Sequence, residues 1–265
     1  MKVVLFCGGF GLRMREFSDQ IPKPMVPIGT RPVLWHLMRY YAHYGHTEFI
    51  LCLGHQGEVI KEYFVNYREW ISNDFVISNR GEVELLRSDI DDWKITFVDT
   101  GVRANIGERL VAVKDHLADD AMFLATYADG LTDCPLPEII DHAKRTDKIA
   151  TFVAVKPRQT FHIVQMNEDS TVTGIHESRT ADLWINGGFF VLKREIFDHI
   201  EAGEELVYEP FERLIKEDQL TAYRHEGFWA GMDTFKDRQE LDELYAQGRA
   251  QWAVWERPSP ELPKL

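Results

Sequence analysis

The chain opens with short apolar runs that alternate with amphipathic stretches. The apolar run 3–7 ends at two glycines, which predicts a buried strand leading into a tight loop. A helical pattern follows over 32–44, then a second apolar run at 48–53 and a second helical pattern at 57–67. Strands and helices that alternate at this spacing predict a parallel, doubly wound sheet.

Later segments continue this alternation, with a polar interruption. The stretch 68–92 is weakly periodic, and we predict an insertion of loops and short strands there. Apolar runs predict further strands, at 94–98, 121–126, 149–155, 185–192 and 221–225. Amphipathic stretches predict helices, at 107–116, 135–145 and 235–248. The turn at 167–170 predicts a hairpin, and the prolines within 251–265 predict an extended tail.

These elements predict an α/β fold with a Rossmann-like, mixed and mostly parallel sheet flanked by helices, carrying small β-rich insertions. Its length of 265 residues suits a single domain over 1–265. The formal net charge of −13 argues against a nucleic-acid partner, because so acidic a surface repels the phosphate backbone. No apolar run approaches ~20 residues, so no membrane partner is expected. Three scattered cysteines favour a reduced, cytoplasmic location over a disulfide or zinc framework.

Two clusters near the start of the chain suit phosphate binding. Gly8, Gly9 and Gly11 follow the first strand, so backbone N–H groups can approach a phosphate, and Arg13 adds a guanidinium. Their spacing matches neither the Walker nor the dinucleotide pattern, and a plain strand-to-loop turn is the alternative. Lys23 lies between two prolines that stiffen the backbone and fix one ammonium; the alternative is an exposed loop lysine.

Two aspartates are candidate metal ligands. Asp129 follows the buried run 121–126, and carboxyl ends of strands are where open α/β sheets bind ligands. A carboxylate beside a phosphate loop suits magnesium, although an Asp-Gly pair is more often a turn. Asp233 follows an aromatic, glycine-containing loop, and either Asp233 or Thr234 could instead cap the next helix. No Ser/His/Asp or Cys/His set is evident, so a hydrolytic nucleophile is not favoured.

Taken together, these motifs resemble a known family along nearly the whole chain. The segments that carry the resemblance are GGFGLRM, PKPMVPIGTRPVLWH, GERL, TYADG, INGGFFVL and FWAGMDT. They are similar to the sugar-nucleotide pyrophosphorylases of the nucleotidyltransferase superfamily, and most similar to its glucose-1-phosphate cytidylyltransferases. This resemblance implies Mg²⁺, CTP as cosubstrate, a phosphorylated small-molecule acceptor and a homo-oligomer. It divides the chain into a nucleotide-binding part (1–155), an acceptor-binding part (156–250) and the tail.

The resemblance also implies roles for individual residues. The nucleotide side comprises Gly8, Gly9, Gly11, Leu12, Arg13, Lys23, Arg109 and Ala128. Arg13 and Lys23 are the implied catalytic residues, and Asp129 and Asp233 the implied metal ligands. The acceptor side comprises His162, Glu177, Arg179, Asn186 and Gly187. In the implied reaction, an acceptor phosphate oxygen attacks the α-phosphorus of CTP in line and pyrophosphate leaves.

The chain departs from the family pattern mainly on the acceptor side. Leu12 replaces a usual threonine and Ala128 a usual glycine. The family's acceptor-phosphate lysine has no counterpart in 176–179, unless Arg179 supplies the contact through a shifted register, and His162 replaces a glycine. We therefore expect glucose 1-phosphate to be a poor acceptor. The alternatives are another sugar phosphate, a phosphorylated non-sugar metabolite or, from another class, a non-catalytic nucleotide-binding regulatory subunit.

Overall fold

A seven-stranded sheet forms the centre of the protein. The structure is a computed structural model that describes residues 1–9, 21–158, 162–177 and 183–256. The strands of the sheet, in spatial order, are β14 (Leu220–His225), β10 (Ala150–Val155), β13 (Ile185–Lys193), β8 (Met122–Tyr127), β1 (Val3–Phe6), β4 (Glu48–Leu53) and β7 (Lys94–Asp99).

Strand direction confirms the prediction of a mixed, mostly parallel sheet. β1 pairs in parallel with both β4 and β8, β4 pairs in parallel with β7, and β10 pairs in parallel with β14. Only β13 runs the other way among these strands, antiparallel to β8 and to β10. The start of β13 therefore lies at the edge where its neighbours end.

Helices cover both faces of the sheet. They are α1 (Val33–His43), α2 (Gly57–Val65), α3 (Ile106–Ala112), α4 (Leu136–Thr146), α5 (Glu209–Lys216) and α6 (Phe235–Ala246). Side chains of a strand alternate between faces, so Val3 and Leu5 join the core under α1, α4 and α6, whereas Val4 and Phe6 join the core under α3 and α5. A central strand buried on both sides explains the continuous apolar run from which β1 was predicted.

Two hairpins stand apart from the central sheet. β5 (Phe75–Ser78) pairs with β6 (Glu82–Leu85) inside the predicted insertion, and β11 (His162–Met166) pairs with β12 (Val172–Glu177) around the predicted turn. Both predictions are confirmed. Among the described residues, no helix combines the length and apolarity that crossing a membrane would need.

The predicted extended tail is wrong over its described part. Val254–Glu256 forms a 3-10 helix, and Trp252 and Val254 are buried in the core on the α1 face. The Trp252 indole N–H donates to His36 Nδ1 at 3.4 Å. Burial of these apolar side chains holds the segment against the domain, which the downstream prolines obscured in the sequence. Residues 257–265 lie outside the described part of the chain.

Candidate functional site

The candidate site lies at the carboxyl edge of the central sheet. Gly8 and Gly9 follow β1, and Asp129 follows β8, which is the neighbour of β1. Because β13 runs antiparallel, its first residues, Asn186 and Gly187, lie at the same edge. The topology thus brings together residues that the sequence assigned to nucleotide and to acceptor.

A two-stranded ribbon joins the two candidate metal ligands. β9 (Gly130–Thr132) pairs antiparallel with β15 (Trp229–Gly231), and Gly130 lies opposite Gly231. The backbone N–H of Met232 donates to the Asp129 carbonyl at 2.9 Å. Asp129 and Asp233 flank this ribbon, so a pairing of short strands places two carboxylates, far apart in sequence, side by side.

Lys23 lies between these carboxylates. It begins the 3-10 helix Lys23–Met25, which follows Pro22 and whose Pro24 and Met25 are buried. Its ammonium donates to Asp129 Oδ2 at 2.6 Å and to Asp233 Oδ1 at 2.8 Å. Burial alone would lower the pKa of Lys23, but the two carboxylates outweigh burial and raise it. Lys23 is therefore a fixed, charged group and not a mobile surface lysine.

The structure also identifies the cap of α6. Thr234 Oγ1 accepts from the Asp237 N–H at 3.2 Å, and the Asp237 carboxylate accepts from the Thr234 N–H at 2.7 Å, which completes a capping box. Thr234 is thus the cap, and the Asp233 carboxylate faces Lys23.

Arg109 holds the start of the glycine loop through hydrogen bonds. Its guanidinium donates to the carbonyls of Leu53 at 3.1 Å and Gly8 at 2.9 Å, and to Thr100 Oγ1 at 2.7 Å. A Cβ on Gly8 would come within 1.9 Å of Arg109 Nη1, so only glycine lets the guanidinium pass so close. Arg109 is 2% exposed, and burial lowers its pKa. The ties to two strand ends show that it braces the loop that was assigned to the triphosphate.

The first of two cavities at this edge collects the predicted nucleotide residues. It has a volume of about 330 Å³ and is lined by four of them, Gly9, Lys23, Arg109 and Ala128, together with the predicted metal ligand Asp129. Sequence reasoning assigned no role to Tyr127 or Glu205, which also line it. Tyr127 could have been noticed as the residue before Ala128-Asp129. Nothing in the sequence marks Glu205, whose carboxylate accepts from the N–H of Ile106, another residue of the lining, at 3.1 Å.

A second cavity at this edge borders the group formed by Lys23, Asp129 and Asp233. It has a volume of about 270 Å³ and includes Asn186, Trp229 and Asp233 in its lining. Lys23 and Asp129 belong to the first cavity, and Asp233 to the second. The ammonium and its two carboxylates therefore form the junction between two binding spaces.

Asn186 and Gly187 make contacts with residues that line both cavities. Gly187 O accepts from Trp229 Nε1 at 2.8 Å, and Asn186 Oδ1 accepts from the Gly188 N–H at 2.8 Å. Gly188 has φ +77°, and a Cβ there would come within 2.3 Å of the Tyr127 ring. Burial raises the pKa of Tyr127, and a hydrogen bond with Asn186 opposes that rise. The Asn-Gly-Gly stretch thus links the wall of the second cavity to Tyr127 in the first.

The other predicted acceptor residues lie elsewhere. His162 and Glu177 are directly opposite one another on the β11–β12 hairpin, and both are exposed. Neither is among the described residues that line the two cavities. Gly11, Leu12, Arg13 and Arg179 lie outside the described residues.

The donor set at the junction fits magnesium. Within the described ranges, no group of three or more His, Cys, Asp or Glu side chains is arranged to hold a metal. Magnesium bound with a nucleotide needs only one or two protein carboxylates, because phosphates and water complete its shell. Asp129 and Asp233, which both accept from the Lys23 ammonium, are the two carboxylates that would hold it.

Comparison with known proteins adds a family to this geometry. The sequence profile described as nucleotidyl transferase matches residues 2–247. The chain is 40% identical, over 96% of its length and all of the relative, to the "Probable glucose-1-phosphate cytidylyltransferase" of Bacillus subtilis, and 37% identical, over 97% of its length and all of the relative, to the glucose-1-phosphate cytidylyltransferase of Salmonella typhimurium. A crystal structure of UDP-glucose pyrophosphorylase complexed with UDP-glucose superposes with a TM-score of 0.68 at 14% identity, covering 94% of this chain and 99% of that one, so it supports the fold alone.

Proposed function

Because the chain belongs to the nucleotidyl transferase family, we propose that it transfers CMP from CTP to glucose 1-phosphate and releases pyrophosphate. One observation carries the proposal. The Lys23 ammonium, Asp129 and Asp233 stand between two cavities, which is the arrangement that a reaction between two bound substrates requires. The choice of cytosine as the base and of glucose 1-phosphate as the acceptor rests on relatives that are 37–40% identical over their whole length.

The triphosphate belongs in the first cavity. The backbone of Gly9 and the cationic Lys23 and Arg109 line it, and exposed backbone N–H groups with nearby cations favour phosphate oxygens. The acceptor belongs in the second cavity, where Asn186 and Trp229 offer polar and aromatic contacts. Tyr127 and Asn186 link the two walls and hold the substrates in register.

The proposed reaction is a single in-line displacement. A phosphate oxygen of glucose 1-phosphate attacks the α-phosphorus of CTP, a new P–O bond forms, and the bond to the leaving pyrophosphate breaks. Lys23 donates hydrogen bonds to oxygens on which negative charge accumulates, and Arg109 keeps the glycine loop in place. Magnesium bound at Asp129 and Asp233 would supply further positive charge against the phosphate oxygens.

The identity of the acceptor is the most specific part of the proposal. The prediction that glucose 1-phosphate is a poor acceptor remains to be tested, and two observations weigh against it. The exposed His162 does not line the cavity that it was expected to fill. Two relatives that align with this chain over their whole length carry the name glucose-1-phosphate cytidylyltransferase, in one case as probable.

The proposal extends to assembly and location. Both hairpins expose apolar side chains, among them Ile77 at 64%, Met166 at 61% and Ile175 at 61%, which is the surface that a homo-oligomer would cover. Three buried free cysteines suit the reducing cytoplasm. Light scattering on the purified protein tests assembly, and a monomer at all concentrations would contradict it.

Pyrophosphate release tests the reaction. The protein is incubated with magnesium, each of CTP, UTP, dTTP, ATP and GTP, and a panel of sugar phosphates and other phosphorylated metabolites, with EDTA as the control. We expect the highest kcat/KM, about 10⁴ M⁻¹s⁻¹ or above, for CTP with glucose 1-phosphate, and none with EDTA. A higher kcat/KM with another nucleotide or another acceptor would show that CTP or glucose 1-phosphate, respectively, is not the preferred substrate. CTP binding without turnover on any acceptor would favour the regulatory subunit.

A further inference from the structure

The second cavity has an uneven charge distribution. Its lining includes three carboxylates, Asp233, Asp237 and Glu240. Among the described residues that line it, Arg158 is the only cation. A phosphate monoester that enters this space is therefore repelled by three carboxylates and attracted to one arginine.

The position of Arg158 suits an anion. Arg158 follows the carboxyl end of β10, after the buried Pro157. Its guanidinium carbon lies 4.8 Å from the ring centroid of Phe228, which is buried and precedes Trp229 of the ribbon. A guanidinium that lies against an aromatic ring can still donate its N–H groups as a fork to two phosphate oxygens.

We propose that Arg158 binds the phosphate of the acceptor and so takes the place of the lysine that 176–179 lacks. This inference rests on the proposed function, since it names the acceptor contact of that site. Arg158 lines the same cavity as Asp233, whose carboxylate accepts from Lys23, so a phosphate bound by Arg158 lies in the space that borders the junction. Hydroxyl groups of the sugar can donate to Glu240, which orients the acceptor with its phosphate toward Arg158.

Steady-state kinetics test the contact. Arg158→Ala should raise the KM for glucose 1-phosphate about ten- to a hundredfold, the effect of losing a charge-assisted hydrogen bond, and leave the KM for CTP within about twofold. Arg158→Lys should recover part of the loss, because a lysine restores the charge without the fork. Arg224→Ala is the matched control: Arg224 is also an exposed arginine close to an aromatic ring, Trp184 at 5.3 Å, but it lines a different cavity, whose lining includes none of Lys23, Asp129 and Asp233.

Calorimetry separates this inference from the proposed function. Glucose 1-phosphate and glucose are titrated into protein that holds a CTP analogue with a methylene bridge between the α- and β-phosphorus. The wild type should prefer the phosphorylated sugar by tenfold or more, and Arg158→Ala should abolish that preference. A preference that persists in Arg158→Ala, or is absent from the wild type, overturns the role of Arg158. An intact, Arg158-dependent preference without turnover in the wild type overturns the proposed reaction alone.

Discussion

Replacement of Lys23 by methionine removes the positive charge at the junction while keeping most of the side-chain volume. In the free protein the ammonium already holds two carboxylates, at 2.6 and 2.8 Å. Binding of CTP would exchange carboxylate oxygens for phosphate oxygens, so the gain in ground-state affinity is small. In the transition state, negative charge accumulates on the leaving pyrophosphate, and the Lys23 ammonium stabilises it. We therefore expect Lys23→Met to lower kcat by about 10²-fold or more and to change the KM for CTP much less.

The same variant should lose stability by a predictable amount. The Lys23 and Asp129 side chains are 14% and 31% exposed, so that contact is worth about 1.5 kcal/mol, the lower end for a charged hydrogen bond. The Asp233 side chain is 44% exposed, so its contact adds only about 0.5 kcal/mol. The free energy of unfolding should fall by about 2 kcal/mol. Because the pKa of Lys23 is raised above 10.5, the loss should stay constant through neutral pH and vanish only as pH rises through that raised pKa.

Urea denaturation and initial-rate kinetics measure the two effects. Lys148→Met is the matched control, since Lys148 also pairs with an aspartate, Asp218 at 2.6 Å, away from both cavities. That control should keep its kinetics and lose less stability. If Lys23→Met raised the KM for CTP with unchanged kcat, Lys23 would be a binding contact only, and the transition-state argument would be refuted.

Three further predictions follow from other parts of the structure. Asp129→Asn and Asp233→Asn should each abolish turnover with the fold intact, whereas Thr234→Val should cost about 1 kcal/mol of stability and keep turnover; near-wild-type rates in either aspartate variant would remove that residue from the metal site. Gly8→Ala should push Arg109 aside, cost about 1–3 kcal/mol and raise the KM for CTP, whereas the unobstructed Gly9→Ala should keep wild-type stability in thermal unfolding. Burial lowers the pKa of His36 from 6.5 to about 4, so the unfolded chain binds more protons than the folded chain between these pH values. Acidification to about pH 5 should therefore lower the free energy of unfolding by up to about 2 kcal/mol. If a His36→Gln variant lost as much stability on acidification as the wild type, His36 would not be the cause.

Periodicity alone was enough to predict most of the central sheet. The run 48–53 coincides with β4, and the helices predicted at 32–44 and 135–145 appear as α1 and α4 within a residue or two. Each of these elements is long or continuously apolar, so local pattern and tertiary burial agree. The pattern was less useful where burial comes from distant parts of the chain, as in the 3-10 helix Val254–Glu256, whose neighbour Trp252 packs beside His36.

The roles of the two aspartates show where sequence reasoning stopped. From the sequence alone, a turn was the more probable role for Asp129 and a helix cap for Asp233, because each segment on its own has an ordinary structural explanation. The deciding contact is the pairing of Gly130 with Gly231, between strands of three residues that are too short to leave a periodic signal. Only with that ribbon formed do both carboxylates reach Lys23.

The acceptor side was harder to predict for a related reason. A motif fixes position along the chain, but β11 and β12 form a hairpin outside the central sheet, so a residue within one of its strands, such as His162, can align with a pocket residue and still lie in solvent. Arg158 carried no motif, yet the end of β10 brings it into the cavity that contains Asp233. Specificity for the acceptor therefore depends on which strand ends border the second cavity. The substitutions most informative about the acceptor are those at Arg158, Asn186 and Glu240, and the exposed hairpin should tolerate His162→Gly with little change in kcat/KM.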